Sequence, residues 1–234
     1  MPNHIQNQLT IKADNLDKIL DSIAGEKMLD FEKIIPMPEG LHIETTEHII
    51  EYAKYIFDPT CNNRSKWYFD FTVQQNRFAK TWDDKGWSNF LQCLDNLRQT
   101  GFATWYDWSI ENWGTKWNAY SFPNEQPASN VIRFQTAWSA PLPVIQKLSE
   151  MHPETTLTLQ YADENKGYNL GHIVFANGEI VSESHPVFGT DEAWVQAYKL
   201  FYPNDTEEDV VEYLDEYEWE PERVNHILQL IMVK

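Results

Sequence analysis

The chain has 234 residues, of which 42% are hydrophobic and 14% aromatic, so it is long enough for one large domain or two small ones with a sizeable core. Its formal net charge is −18. That charge disfavours a general nucleic-acid-binding protein or a protein that docks on an anionic membrane, because both need clustered lysines and arginines.

The first 25 residues predict a strand followed by a helix. Ile5, Leu9 and Ile11 alternate with polar residues, as in a half-buried strand. Asn15 is placed to cap the helix that follows, and Gly25 is placed to end it. The chain is therefore expected to open in the order β-α.

Residues 26–113 predict a long and mostly helical insertion. The prolines of Phe31–Pro38 indicate an extended, packed segment. Residues 65–74 are open to two interpretations, a strand or an aromatic packing segment. Helical spacing of apolar residues predicts helices over residues 45–57, 87–100 and 103–113. A connection of this length is expected to have structure of its own.

Alternation of apolar and polar residues returns after Gly114. It is weak over residues 116–122 and clearer over residues 131–138, where it predicts a strand with Trp138 on the same face as Ile132 and Phe134. A short helix is then expected around Val144, Ile145 and Leu148, with Ser139 as its N-cap.

The next segments complete an α+β pattern. Thr156–Tyr161 predicts a strand, and residues 171–183 predict a hairpin that turns at Asn177-Gly178. Without the insertion, the order is β-α-β-β-α-β plus a hairpin. That is the ferredoxin-like plan.

Residues 186–234 predict an acidic helical extension of a ferredoxin-like domain at residues 1–185. Thr190 is placed to cap one helix, while Thr206 and Asp209 resemble a capping box with Asp in place of the usual Glu. Ten acidic residues and no basic ones lie from Asp205 to Glu222.

Five stretches together resemble one family. They are MPNHIQNQLTI, FEKIIPMP, WYDWSIENWGTKWNAY, FQTAWSAPLPVIQKLS and YADENKGYNLG. This combination resembles the YubB-type ferredoxin-like family of bacterial plasmid and phage proteins, over roughly residues 1–185. The resemblance implies the fold and an origin on a mobile genetic element. It implies no catalytic residues, because the family has no established activity.

The remaining sequence signals predict a reduced, cytoplasmic protein without a metal or cofactor. The N-terminal segment lacks the basic and apolar regions of a signal peptide, and no stretch approaches the length of a membrane span. Cys61 and Cys93 are the two cysteines, and Cys93 is expected to be a buried free thiol. The acidic and amide residues Asp163, Glu164 and Asn165 favour a solvated turn over a cation site.

The segment around Gly114 is a candidate binding site. Lys116 lies between tryptophans, where a lowered lysine pKa or a cation–π contact is possible. A structural joint, at which the helical insertion ends and the chain returns to the sheet, is favoured over a binding surface. Catalysis is favoured less than either. The candidate residues are Asn112, Trp113, Thr115, Lys116, Trp117 and Asn118.

A local basic and aromatic segment runs from Arg64 to Lys80. It has the composition of a platform for single-stranded nucleic acid. It has only four basic residues in a strongly acidic protein, so an internal ionic contact with the acidic C-terminal part is favoured over nucleic-acid binding.

The acidic C-terminal helix is the last candidate. Its predicted partner-binding residues are Glu207, Glu208, Asp209, Glu212, Asp215 and Glu216. A solvated helix face is one interpretation, and mimicry of nucleic-acid phosphates toward a basic host protein is the other. We therefore expect a non-enzymatic accessory protein that binds a macromolecule, with a small-molecule binder or enzyme using Lys116 as the alternative.

Overall fold

The computed structural model describes residues 3–57, 79–124, 126–215 and 219–232. Two short 3-10 turns, Phe31–Lys33 and Glu39–Leu41, precede the second helix. In chain order, the other elements are β1 (His4–Lys12), α1 (Leu16–Ile23), α2 (Glu47–Phe57), α3 (Asp84–Thr100), α4 (Trp105–Trp113), β2 (Val131–Ala137), α5 (Leu142–Met151), β3 (Thr156–Asp163), β4 (Leu170–Ala176), β5 (Glu179–Ser184), α6 (Asp191–Phe201), α7 (Glu207–Asp215) and α8 (Pro221–Met232).

The chain divides into two compact units. Met1–Ile35 and Asn112–Lys234 form the first, called here the sheet unit, and Pro36–Glu111 form the second, the helical unit. The C-terminal helices belong to the sheet unit. The boundary that the sequence places at residue 185 stays a prediction.

The sheet unit has the ferredoxin-like fold that the sequence predicts. Its five strands are antiparallel in the order β2-β1-β3-β4-β5. The predicted hairpin is β4–β5, which extends the sheet beyond β3. At the other edge, Tyr120 forms an isolated antiparallel bridge with Gln135 of β2.

The prediction of a strand over residues 116–122 is wrong except for this bridge. Side-chain hydrogen bonds hold the preceding segment: Thr115 Oγ1 donates to the Ala137 carbonyl at 2.7 Å, and Asn118 Oδ1 accepts from Phe31 N at 3.0 Å. Ser121 then has a φ of 51°, which interrupts an extended backbone. The outermost ferredoxin-like strand is thereby reduced to one residue pair.

The two faces of the sheet differ in polarity. One face of β1 is buried, as predicted, and it carries Ile5, Leu9 and Ile11. On β3 the same face carries Leu157 and Leu159. The opposite face, called here the open face, is covered at one end by α6, which contacts β3 and β1. There Ala193, Ala197 and Leu200 pack against Ala162 and Leu170.

Three local predictions are corrected. Phe31–Lys33 is a 3-10 turn rather than extended chain, because Asp30 Oδ1 accepts from Glu32 N and caps it. Ser139 does not cap α5, which has Pro141 at its N-cap position. Asn15 sits at the N-cap position of α1 without a side-chain cap bond, since its amide donates to Glu154 at 3.2 Å.

The helical unit is built on the packing of α2 against α3. Its core contains Ile49, Ala53, Phe90, Cys93, Leu97 and Ala103. Cys93 is a free, buried thiol, as predicted, and burial raises its pKa to about 11. The predicted alternatives for residues 65–74 lie outside the described residues.

The three C-terminal helices share a second core in the sheet unit. It contains Trp194, Val195, Tyr198, Val210, Leu214 and Ile227. Both predicted caps are confirmed: Thr190 Oγ1 accepts from Ala193 N, and Thr206 and Asp209 bond reciprocally. Within the described residues, no helix is long and apolar enough to cross a membrane.

Candidate functional site

The segment around Gly114 begins with a buried tryptophan. Trp113, the last residue of α4, is only 4% exposed. Its indole Nε1 donates to the Ile35 carbonyl at 2.9 Å, and its ring meets Phe31 edge-on with 5.8 Å between centroids. Asn112, one residue earlier, is partly buried. Trp113 therefore anchors the chain in the core of the sheet unit.

A tight turn follows at Gly114, which has a φ of 74°. Ser139 Oγ donates to the Gly114 carbonyl. Thr115 is buried, and its hydroxyl also accepts from Ala137 N at 3.2 Å. These bonds join the turn to the end of β2, so Thr115 has a structural role.

Lys116 lies between two exposed indole rings. Its Nζ is 4.8 Å from the centroid of Trp117 and 4.7 Å from that of Trp138. The two tryptophans are 38% and 39% exposed. The alternation predicts that Trp138 faces the core, but β2 ends at Ala137 and Trp138 has a φ of 75°, which turns its side chain out of the strand alternation.

Asn118 connects two parts of the sheet unit. Its Nδ2 donates to Asp30 Oδ1 at 2.7 Å, while its Oδ1 accepts from the backbone of Phe31. The loop that carries the first 3-10 turn is thereby fixed to the segment. Asn118, like Thr115 and Trp113, thus has a structural role.

The structure thus divides the predicted set. Trp113, Thr115 and Asn118 hold the fold, as the joint interpretation expects, whereas Lys116 and Trp117 form a surface stack. None of the candidate residues is among the described residues that line the cavities beside Gln8, Phe122 and Gly167. Catalysis at Lys116 stays a prediction.

The acidic face is carried by α7. Val210 and Leu214 are buried on one side of this helix, and Glu207, Glu208, Glu212 and Asp215 are exposed. None of these four carboxylates pairs with a cation among the described residues. Glu216 lies outside the described residues.

Asp209 differs from its neighbours on α7. Its Oδ2 accepts from Thr206 Oγ1 at 2.7 Å and from Thr206 N at 2.8 Å. These hydrogen bonds lower the pKa of the Asp209 carboxyl. Asp209 is exposed and also caps α7, and its assignment to the partner-binding face stays a prediction.

The predicted nucleic-acid platform cannot be placed, since residues 64–78 of the Arg64–Lys80 segment lie outside the described residues. Within the part of the chain that is described, no group of three or more His, Cys, Asp or Glu residues is arranged to hold a metal ion. Asp163 instead accepts from Asn165 N at 2.8 Å and from Asn3 Nδ2 at 3.2 Å, an arrangement that stabilises a turn.

A different set of residues, not predicted from the sequence, forms a polar row across the open face. The register places Arg133 opposite Gln8, Gln8 opposite Gln160, Gln160 opposite His172 and His172 opposite Ser184. These five side chains, called here the cross-sheet row, come one from each strand. Each strand shows only polar alternation in sequence, so the row is visible only once the register is known.

Hydrogen bonds link part of the cross-sheet row. Arg133 Nε donates to Gln8 Oε1 at 2.8 Å, and Gln8 Nε2 donates to Gln160 Oε1 at 3.1 Å. Burial lowers the pKa of the Arg133 guanidinium. The row lines a cavity of about 390 Å³ that also contacts Gln196, Lys199 and Leu200 of α6.

A second cavity adjoins the first through Arg133 and Leu200. It measures about 710 Å³, and aromatic and proline side chains contribute to its lining, among them Phe122, Pro123 and Phe201. Arg133 therefore lies where the two cavities meet.

One comparison with known proteins agrees with this architecture. A family model described as the ferredoxin-like domain in Api92-like protein matches residues 113–213. The crystal structure of a protein api92 from Yersinia pseudotuberculosis aligns with 81% of this chain and 100% of that chain, at 11% identity and a TM-score of 0.42. So distant a structural likeness carries no inference about function. No curated protein matches the chain.

Proposed function

We propose that the protein acts by binding another macromolecule, and that α7 presents an acidic face to a basic protein partner. One observation carries this proposal: Glu208, Glu212 and Asp215 are exposed and unpaired among the described residues. Their spacing of four and three residues places them on one side of a helix. Their charge is therefore available to a partner.

The helix that bears this face is fixed in place, which supports a role in recognition. Val210 and Leu214 anchor it in the C-terminal core, and the Thr206–Asp209 capping box holds its first turn. A partner that meets a preformed face loses less conformational entropy in binding. Clustered carboxylates also accelerate encounter with a basic surface.

The nature of the partner rests on the sequence resemblance. The resemblance to the YubB-type family implies an origin on a plasmid or phage. From that origin we infer a host protein with a basic groove, which the acidic face occupies in place of nucleic-acid phosphate. The family match at residues 113–213 supports a ferredoxin-like domain, and the mobile-element context remains part of this proposal.

The experiment is capture from a bacterial lysate at low and high salt, followed by identification of retained proteins. The charge-neutralising variant E208Q/E212Q/D215N is expected to lose a basic partner that the unaltered protein retains at low salt. High salt is expected to release the same partner, since exposed charges are screened.

The matched control is D17N/D21N/E26Q, which removes three exposed carboxylates on and just after α1. It changes the net charge equally and is expected to retain the partner. Equal retention by both variants, or capture of no basic protein at all, contradicts the proposal. Circular dichroism of both variants checks that they are folded.

A further inference from the structure

We propose that the open face of the sheet is a binding site for a small organic oxyanion, a carboxylate or a phosphate monoester, with Arg133 as the group that receives the anion. This site is separate from α7 and does not depend on the acidic face. It consists of the cross-sheet row, the end of α6 that overhangs it, and the two adjoining cavities.

The hydrogen bonds within the row leave donors unpaired. Arg133 donates through Nε to Gln8, and Gln8 donates through Nε2 to Gln160, so the two amide oxygens are occupied. The two Nη atoms of Arg133 donate to no described residue. The side-chain N–H groups of Gln160 also have no hydrogen-bond partner among the described residues. A ligand that fits these groups must accept hydrogen bonds, as carboxylate and phosphate oxygens do.

The charge of the site is opposite to that of the protein. The described residues that line the two cavities include Arg133, His172 and Lys199 but no Asp or Glu, although the chain has 36 acidic residues and 18 basic ones. Arg133 forms no ion pair with any described residue. An anion at Arg133 therefore meets a guanidinium that no carboxylate among the described residues pairs with.

Arg133 is also held in position for this role. Its backbone N–H donates to Gln126 Oε1 at 2.7 Å, and Gln8 fixes the Nε edge of its guanidinium. Partial burial disfavours the charged form, as its lowered pKa shows. An oxyanion with paired oxygens offsets that cost by a bidentate contact with the planar guanidinium.

The dimensions of the site favour a small ligand. The first cavity, of about 390 Å³, lies within the range of roughly 300–1,000 Å³ of small-molecule sites. The adjoining cavity offers Phe122 and Phe201 to an apolar part of the same ligand. Arg133 and Leu200 line both cavities, so one molecule can extend from the anion site into the second cavity.

A long polyanion fits less well. The net charge of −18 repels a chain of phosphates, while a single anionic group is bound locally. The central strands β1 and β3 also place no Phe, Tyr or Trp on the open face, where His4, Gln6, Gln8, Thr10, Thr158, Gln160 and Ala162 lie. Stacking of nucleic-acid bases needs such rings.

The test is a titration of the full chain with three probes: inorganic phosphate, succinate and ribose 5-phosphate. Binding is followed by the NMR signals of the Arg133 Nε–H and of the Gln8 and Gln160 side-chain amides. At least one probe is expected to shift these signals saturably. If only the two phosphate-bearing probes shift the signals, the site binds phosphate. If only succinate shifts them, the site binds a carboxylate.

Arg133→Gln is expected to weaken binding by about tenfold or more, because a charge-assisted bond is lost. Gln160→Glu serves as a second variant at an exposed position, where the new carboxylate is expected to abolish binding by repulsion. Arg98→Gln is the matched control. It removes one exposed positive charge from α3 in the helical unit, and it is expected to bind as the unaltered protein does.

The proposal is overturned if no probe shifts the three signals at concentrations up to about 20 mM. Any binding would then be weaker than that of weak specific ligands. It is also overturned if folded Arg133→Gln and Gln160→Glu bind a probe as tightly as the Arg98→Gln control. Neither result affects capture by α7, so the two proposals fail independently.

Discussion

At the scale of single residues, Gly114 illustrates how closely the segment around it is packed. Its φ is 74°, and a Cβ at this position would lie 2.7 Å from Pro143 Cδ. Gly114→Ala is therefore expected to combine backbone strain with a steric clash. We expect a loss of roughly 2–4 kcal/mol in the free energy of unfolding, measured by urea denaturation.

Gly189→Ala separates these two contributions. Gly189 has a φ of 75°, and a Cβ at this position would have no neighbouring atom within 4 Å. This control carries only the backbone strain, which is about 1 kcal/mol. If both variants lose the same free energy of unfolding, the Pro143 ring moves aside without destabilising the protein.

Two tryptophans show what residue patterns do and do not predict. Trp113 is buried, and its role as an anchor follows from the joint that the sequence predicts. For Trp138, alternation predicts burial on the assumption that the strand continues. The positive φ of Trp138 breaks that assumption, and its ring stacks on Lys116 instead.

At the scale of elements, the caps of α6 and α7 differ in their chemistry. Thr206 and Asp209 form a reciprocal box. Thr190 Oγ1 instead bonds only to backbone groups: it accepts from Ala193 N and donates to the Val187 carbonyl. Replacing either threonine by alanine is expected to cost about 1 kcal/mol at neutral pH. The measurement is guanidinium-induced unfolding of each variant.

The pH dependence of the two losses is expected to differ. Hydrogen bonds from Thr206 lower the pKa of Asp209, so the stabilisation by this box is present above the ordinary Asp pKa. It is lost as pH falls through the lowered, folded-state pKa. The effect of Thr206→Ala should therefore shrink as pH falls below the ordinary Asp pKa of about 3.9, whereas that of Thr190→Ala should not. Parallel behaviour would refute the role of Asp209.

Elements with strong local signals are the ones that the sequence predicts most accurately. α1, α2 and α3 follow from helical spacing, and the β4–β5 hairpin follows from Asn177-Gly178. The strand expected over residues 116–122 has only weak alternation. Its backbone is instead controlled by side-chain bonds to distant residues, which no local pattern reveals.

At the scale of the whole molecule, the net charge of −18 predicts a stabilising effect of salt. Raising NaCl from about 20 mM to about 200 mM shortens the Debye length from roughly 20 Å to roughly 7 Å. Repulsion among carboxylates is then screened, and the thermal unfolding midpoint is expected to rise. Differential scanning fluorimetry measures this change.

The variant E208Q/E212Q/D215N tests the origin of that effect. It carries three fewer negative charges, so its midpoint is expected to rise less with NaCl than that of the unaltered protein. A midpoint that falls with salt in both proteins would show that attractive ion pairs outweigh the repulsion.

The sequence by itself determined the α+β class, the ferredoxin-like order, the two threonine caps and the acidic face of α7. These properties depend on periodicity, local hydrogen bonds and charge, which neighbouring residues express wherever the chain folds. The tertiary structure alone decided the cross-sheet row. Its members lie on five strands, from Gln8 to Ser184, and the register that aligns them is set by long-range pairing and burial of the opposite face.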